Sequence, residues 1–176
     1  NDTATTEIYT LSLHDALPIS KKAGPATING REDLRNTPLI TIDGADARDF
    51  DDAVWAEPDP EFKGYWHCII AIADVASYVK PNSALDIEAR NRGNSIYFPD
   101  QVIPMLPEAL SNNWCSLKPN EDRPCLAVHL SIDADGAVLS HRFTRGLMRS
   151  AARLTYEQVQ SAHDGNPDSR TKPLLD

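Results

Sequence analysis

Five aspartates lie within ten positions of this chain, and their type and spacing could support chemistry. They are Asp43, Asp46, Asp49, Asp51 and Asp52, and the one cation among them is Arg48. Like charges a few ångströms apart repel by about 1 kcal/mol even in water, and by more when they are partly buried. The cluster is therefore either a solvated acidic loop or a site for something positively charged.

The flanking segments favour a structured site over a free acidic loop. Residues 39–42 and 53–55 are apolar and strand-like, so the acids lie inside folded chain. Asp49 and Asp51 project to the same side of an extended backbone, and a loop can return Asp43 to the same place. Carboxylate oxygens are the ligands that the hard cations Mg²⁺ and Mn²⁺ prefer. We interpret the cluster as a cage for divalent metal.

Spacing alone leaves more than one function open. Clustered carboxylates that hold one or two Mg²⁺ ions are typical of phosphodiester hydrolysis. An acidic structural loop or a calcium loop is the alternative, although neither Asp43 nor Asp49 begins the spacing of an EF-hand. The five histidines form no pattern typical of a zinc site.

Composition is ordinary for one globular domain, with 176 residues, 41% hydrophobic and 24% charged. A net charge of −9 argues weakly against a polyanionic substrate, but that argument fails if metal neutralises the acids. No apolar run approaches the roughly 20 residues that span a bilayer. The three cysteines include no C-x-x-C pair, and we expect buried, reduced thiols in a cytoplasmic protein without a membrane segment.

Hydrophobic periodicity and turn signals predict an α+β fold, with a largely antiparallel sheet or barrel flanked by helices. We expect the segment 65–74 to be a strand buried on both faces, paired in a hairpin with 53–56. Asp135-Gly136 predicts a second hairpin, between 124–132 and 137–148. Helices are expected after Ser83, from Pro107 and after Thr155, where Thr155-x-x-Gln158 is a capping-box pattern. The other predicted strands are 39–42, which leads into the acids, and 95–98.

Several segments, in this order, resemble the ribonuclease II/ribonuclease R (RNB) family of exoribonucleases. The first is the acidic stretch itself, LITID at 39–43 and DFDDA at 49–53. The others are IAIADV at 70–75, ARNRG at 89–93, SIYFP at 95–99, IPMLP at 103–107, LS at 110–111 with CSL at 115–117, RP at 123–124 and ARLTY at 152–156. The likeness runs from about Arg31 to Gln160, and the insert Asp46-Ala47-Arg48 is closer to the ribonuclease R branch.

The resemblance implies processive, Mg²⁺-dependent degradation of RNA from the 3′ end, with release of nucleoside 5′-monophosphates. Two ions are expected with substrate bound, and Mn²⁺ is a possible substitute. By position, the metal and catalytic carboxylates are Asp43, Asp49, Asp51 and Asp52. Tyr97 matches the aromatic residue that packs against the 3′-terminal nucleotides of single-stranded RNA. For Arg90 and Arg92, phosphate contact and a plain helix-surface charge both stay open. We expect a monomer.

The resemblance also implies a domain organisation. The family's catalytic domain is longer than this chain, and its downstream part contributes an arginine and a glutamate to the active site. Cold-shock domains precede it and an S1 domain follows it. We therefore expect residues 37–176 to be the truncated N-terminal part of a catalytic domain, and the 176-residue chain alone to be inactive or nearly so. Residues 21–36 are expected to be a connector, with 31–36 on the surface. Residues 1–20 are expected to be non-native, because LSLHDALPIS at 11–20 resembles a translated sequencing adapter. A non-catalytic RNA-binding relative of the same fold is the competing hypothesis.

Overall fold

The structure is a computed structural model that describes residues 23–174. The strands are β1 (Glu32–Leu34), β2 (Ile40–Asp43), β3 (Asp52–Pro58), β4 (Trp66–Ala73), β5 (Ile96–Tyr97), β6 (Val102–Ile103), β7 (Asp122–Ile132), β8 (Val138–Arg149) and β9 (Ala152–Thr155). The α-helices are α1 (Ala84–Arg92) and α2 (Tyr156–His163), and shorter helical turns cover Val75–Ser77, Leu110–Trp114 and Lys172–Leu174.

One seven-stranded sheet organises the chain, in the order β1-β8-β7-β4-β3-β2-β9. The hairpins β3–β4 and β7–β8 are antiparallel, as the turn signals predict. The two edge pairs, β1 with β8 and β2 with β9, are parallel. Strands β5 and β6 form a separate two-stranded sheet. The α+β prediction is confirmed, with an open sheet rather than a closed barrel.

Local signals place the helix ends. The Ser83 side chain accepts a hydrogen bond from the Asp86 backbone N–H at 3.3 Å, and Gly93 ends α1 with a φ of 77°. At the start of α2, Thr155 and Gln158 exchange the two hydrogen bonds of a capping box, at 2.9 and 3.2 Å. These elements agree with the sequence-based prediction.

The sheet buries one face, and this corrects the expectation that β4 is covered on both sides. Ile69, Ala71 and Ala73 point into the core, whereas their neighbours Trp66 and Ile72 are 43% and 46% exposed. On β7 and β8 the same open face carries Leu126 and Phe143, which are also exposed. Strand β4 therefore carries apolar residues on both faces, but only the residues on one face pack into the core.

The segment 31–36 is less exposed than we expected. Residues Glu32–Leu34 form β1 at the edge of the sheet, Leu34 is only 3% exposed, and Arg31 forms an ion pair with the buried Asp74. The apolar Leu34 enters the core because β1 pairs with β8 over Gly146–Met148. The predicted domain boundaries stay predictions, and the adapter-like segment lies outside the described residues.

The cysteines follow the prediction in part. All three are free, and burial raises the pKa of the Cys115 thiol to about 12 and that of Cys125 to about 11. Cys68 lies on the open face of β4 and is only half-buried, so the prediction of a fully buried thiol is wrong there. Among residues 23–174, no helix is long and apolar enough to cross a membrane.

Candidate active site

The four aspartates implied by the resemblance lie at one end of the sheet, where β2 ends and β3 begins. Asp43 is the last residue of β2, Asp52 is the first of β3, and the loop between them carries Asp49 and Asp51. Their charges act on one another. Burial first, and then repulsion from Asp52 and Asp49, raises the pKa of Asp43. Partial burial, followed by repulsion from Asp49, Asp52 and Asp43, raises the pKa of Asp51. The fold therefore gathers the four carboxylates in one place.

The cation that balances this cluster is Arg153, on β9. Its charge offsets part of the rise in the pKa of Asp43. The guanidinium donates hydrogen bonds of 2.8 Å to the carbonyl oxygens of Gly44 and Ala45, and it lies 5.4 Å from the centre of the Phe50 ring. Arg48 is the cation within the acidic stretch itself, but it forms no ion pair with any residue in the part of the chain that the structure describes.

The position of Arg153 beside the acidic loop depends on a long-range parallel pairing, which the sequence does not reveal. Strand β9 lies beside β2 with Arg153 opposite Thr41, more than a hundred residues away in sequence. Arg153 belongs to the segment ARLTY, which is one of the segments that carry the resemblance. No local pattern indicated that this side chain reaches the acidic loop.

Tyr97 also reaches the cluster. It lies on β5 of the small second sheet, and its hydroxyl donates a hydrogen bond of 3.2 Å to Asp49 Oδ2. The ring remains 65% exposed, so one face is open to a ligand. Burial of the hydroxyl, together with the neighbouring Asp49 charge, raises the pKa of Tyr97. The residue predicted to contact the RNA end thus stands directly beside a predicted metal ligand.

The two arginines of α1 occupy different settings. Arg90 is paired with Asp86 at 2.9 Å, but its side chain is 68% exposed. Arg92 is 14% exposed, is paired with Glu88 at 2.7 Å, and donates to the Pro104 carbonyl at 3.3 Å. The contacts of Arg92 tie α1 to the segment that follows β6. Arg90 is the one whose guanidinium is largely open to solvent.

The donor set fits a hard divalent cation in its chemistry. One oxygen of Asp43, Oδ2, is buried without a hydrogen-bond partner, an arrangement that is costly unless something satisfies it. The four side chains offer only carboxylate oxygens, which suit Mg²⁺ or Mn²⁺. Within residues 23–174, however, no three His, Cys, Asp or Glu side chains converge closely enough to enclose an ion. The carboxylates are thus neighbours without forming a closed cage.

The chain belongs to the RNB domain family, whose model matches residues 31–176. It is similar to ribonuclease R from Escherichia coli strain K12, with 49% identity over 165 residues, covering 93% of this chain and 19% of that protein. It is also similar to ribonuclease R from Vibrio parahaemolyticus, with 52% identity over 148 residues, covering 83% of this chain and 18% of that protein.

The fold matches a solved relative as well. RNase R of Mycoplasma genitalium, solved in complex with ribose-methylated single-stranded RNA, superimposes with a TM-score of 0.79 and 33% identity. The match covers 89% of this chain and 25% of that one. This chain therefore spans about a fifth of the length of the curated relatives and a quarter of the solved one.

Proposed function

We propose that this chain is part of a longer exoribonuclease that degrades RNA processively from the 3′ end, with Mg²⁺, to nucleoside 5′-monophosphates. The observation that carries the proposal is the gathering of Asp43, Asp49, Asp51 and Asp52 at one end of the sheet of an RNB-family chain. The similarity to ribonuclease R proteins supports the same substrate class.

The four aspartates would hold the metal, with Mn²⁺ as a possible substitute for Mg²⁺. When bound, divalent ions supply an activated water and stabilise charge on the leaving oxygen. Burial first, and then repulsion between the carboxylates, raises the pKa values of Asp43 and Asp51, and bound positive charge would offset both effects and favour the ionised form of these two ligands.

Tyr97 would contact the 3′-terminal nucleotides. Its exposed ring can stack on any base, which suits an exonuclease without sequence preference. Its hydrogen bond to Asp49 fixes the ring beside the carboxylates, so a stacked terminal nucleotide would lie next to the acids. The exposed guanidinium of Arg90 is available for a phosphate, whereas the contacts of Arg92 support a structural role for that residue.

Labelled RNA tests the proposal. With the longer protein and Mg²⁺, 3′-end-labelled RNA should release labelled mononucleotide at once, and 5′-end-labelled RNA should shorten without accumulating intermediates. Chelation of the metal should stop both. Internal cleavage, or degradation from the 5′ end, would contradict the proposal.

The Asp51→Asn variant tests the assignment of the acids. We expect cleavage to be lost while RNA binding is retained, because the substitution removes a carboxylate and keeps the side-chain size. Asp46→Asn is the matched control, since Asp46 lies in the same loop but outside the set of four and is exposed. Retained cleavage by Asp51→Asn would refute the assignment.

Two further outcomes separate the alternatives. RNA binding by the unaltered longer protein without any cleavage would favour a non-catalytic relative, although all four aspartates are present here. The 176-residue chain alone should be inactive or nearly so, and processive mononucleotide release by this chain would contradict that expectation.

A further inference from the structure

The segment between Asp49 and Asp51 has no regular secondary structure of its own. Its geometry is instead set by a second segment of chain, more than sixty residues away. The Phe50 backbone N–H donates to Ser116 Oγ at 3.0 Å, and the Ser116 hydroxyl donates to the Arg48 carbonyl at 3.1 Å. The Leu117 backbone N–H donates to the Phe50 carbonyl at 2.8 Å. Two neighbouring residues thus bind both polar groups of Phe50 and the carbonyl before Asp49.

Phe50 links this clamp to the carboxylates. Its side chain is 8% exposed and belongs to the hydrophobic core, whereas those of Asp49 and Asp51 do not. In extended chain the residues on either side of a given residue project away from it, to the same side. Fixing the Phe50 backbone therefore fixes the direction of two of the four acids.

Ser116 is itself held rigidly. It is fully buried, its backbone N–H donates to the Asn113 carbonyl at 3.0 Å, and its carbonyl accepts from Arg123 Nε at 3.0 Å. Arg123 is 3% exposed and lies 5.3 Å from the centre of the Trp114 ring. The clamp is thus anchored to the helical turn Leu110–Trp114 and to the start of β7, and not to the acidic loop that it holds.

We propose that Ser116 is a positioning residue for the acid cluster, acting through the backbone of Phe50 on Asp49 and Asp51. The inference rests on the proposed function and adds a residue that touches no carboxylate. The hydroxyl is required because it accepts one hydrogen bond and donates another, and only an O–H group of this size does both. Its loss frees the loop to move, and displacements of about 1 Å in a site of this kind cost on the order of 100-fold in rate.

The Ser116→Ala variant tests the proposal in the longer protein, with Ser150→Ala as the matched control. Ser150 is 1% exposed, and its hydroxyl donates to one backbone carbonyl, that of Ala152, which is not part of the acidic loop. We expect Ser116→Ala to lower kcat on RNA by about 10- to 100-fold while KM stays within about twofold. Ser150→Ala should leave both constants within about twofold. Equal kcat values for the two variants would overturn the proposal.

Mn²⁺ binding can be measured without RNA and without catalysis, by monitoring the EPR signal of the free ion. The Mn²⁺ concentration at half-saturation should rise several-fold in Ser116→Ala and stay unchanged in Ser150→Ala. If the unaltered protein binds Mn²⁺ but does not cleave RNA, the proposed function fails and this comparison alone decides the role of Ser116. An absence of Mn²⁺ binding by the unaltered protein would overturn both.

Ser116→Cys covers the case in which Ser116→Ala does not fold. The thiol fills the space that alanine empties, but it is a much weaker hydrogen-bonding group. The same losses in kcat and in Mn²⁺ binding are expected. A cysteine variant that behaves like Ser150→Ala would overturn the proposal.

Discussion

We expect the Arg31→Met substitution to destabilise this chain by about 3 kcal/mol at neutral pH, because it leaves a buried carboxylate without its cation. Arg31 Nη2 lies 2.8 Å from Asp74 Oδ2 and 2.6 Å from Ser77 Oγ, and its other terminal nitrogen donates to the Gly146 carbonyl at 3.2 Å. The two charged side chains are 11% and 5% exposed. The pair therefore joins the start of β1 to the end of β4 inside the protein.

The size of the effect follows from what remains when the cation is removed. Breaking a buried ion pair on one side costs about 3–5 kcal/mol. The lower value applies here, because the Ser77 hydroxyl still donates to Asp74 at 2.7 Å and Arg145 remains 3.9 Å away. For a chain of this size, about 3 kcal/mol corresponds to a fall of about 6–12 °C in the unfolding midpoint.

The stability lost in Arg31→Met should depend on pH, whereas a loss of packing alone would not. Burial would raise the pKa of Asp74, but hydrogen bonds from Ser77 and Arg31 and the charges of Arg31 and Arg145 outweigh it and hold the pKa below its ordinary value. The unaltered chain therefore keeps this stabilisation above a pH of about 4 and loses it as the pH falls through the folded pKa. In the variant burial prevails and the pKa rises, so protonation relieves the penalty. The gap between the two proteins should narrow from pH 7 to pH 4.

Urea denaturation at several pH values measures this difference. The neighbouring Arg35→Met is the matched control, since Arg35 forms its ion pairs with Asp33 and Asp122 at the surface, where such pairs contribute about 0–1 kcal/mol each. Adding Asp74→Asn to Arg31→Met should recover part of the loss. A loss below about 1 kcal/mol at pH 7, or a loss that does not change with pH, would refute the reasoning.

Three further predictions concern the acid cluster, the sheet and a helix cap. Asp51→Asn should stabilise the metal-free chain at pH 7 by about 1 kcal/mol, because it removes the cost of a partly buried charge and the repulsion from the neighbouring carboxylates. The pKa of Asp51 is raised, so this gain should shrink as the pH falls from 7 to about 4, and denaturation at both pH values checks it. Gly146→Ala should cost about 1–3 kcal/mol in thermal unfolding, since the new Cβ would lie 2.8 Å from Leu34 Cδ1, whereas Gly24→Ala meets nothing and should be neutral. Thr155→Ala should cost about 0.5–2 kcal/mol and speed hydrogen exchange at the start of α2, and unchanged exchange there would contradict the capping role.

Local chemistry made much of the fold predictable. Ser83 and Thr155 accept hydrogen bonds from nearby backbone, Gly93 adopts a φ that other residues avoid, and Asp135-Gly136 favours a tight hairpin. Each of these signals depends on residues within a few positions, so the sequence reports them directly. The assignment of the four acids as metal ligands comes from the resemblance and stays a prediction, and the structure places these acids at one end of the sheet.

The remaining features depend on contacts between distant residues, which no local pattern encodes. The parallel pairs at both edges of the sheet, the approach of Arg153 to the acidic loop and the ion pair between Arg31 and Asp74 all join segments that lie far apart in sequence. The exposure of Ile72 was also missed, because an apolar residue on a strand does not reveal whether another layer covers it. These features could not be predicted because the contacting residues are far apart in sequence, and not because their secondary-structure propensities are weak.

The pairing of β2 with β9 has a consequence for the order in which a nascent chain can complete this site. Asp43 and the loop that follows it are made before Arg153, which bonds the Gly44 carbonyl from 109 residues further along the chain. Until then β3 is the only one of the two sheet neighbours of β2 that has been made, and the acids lack the charge of Arg153. Long-range parallel pairings of this kind also form slowly, because distant segments must first be brought together. A newly made chain therefore cannot hold the acidic end of the sheet in its final form before β9 is in place.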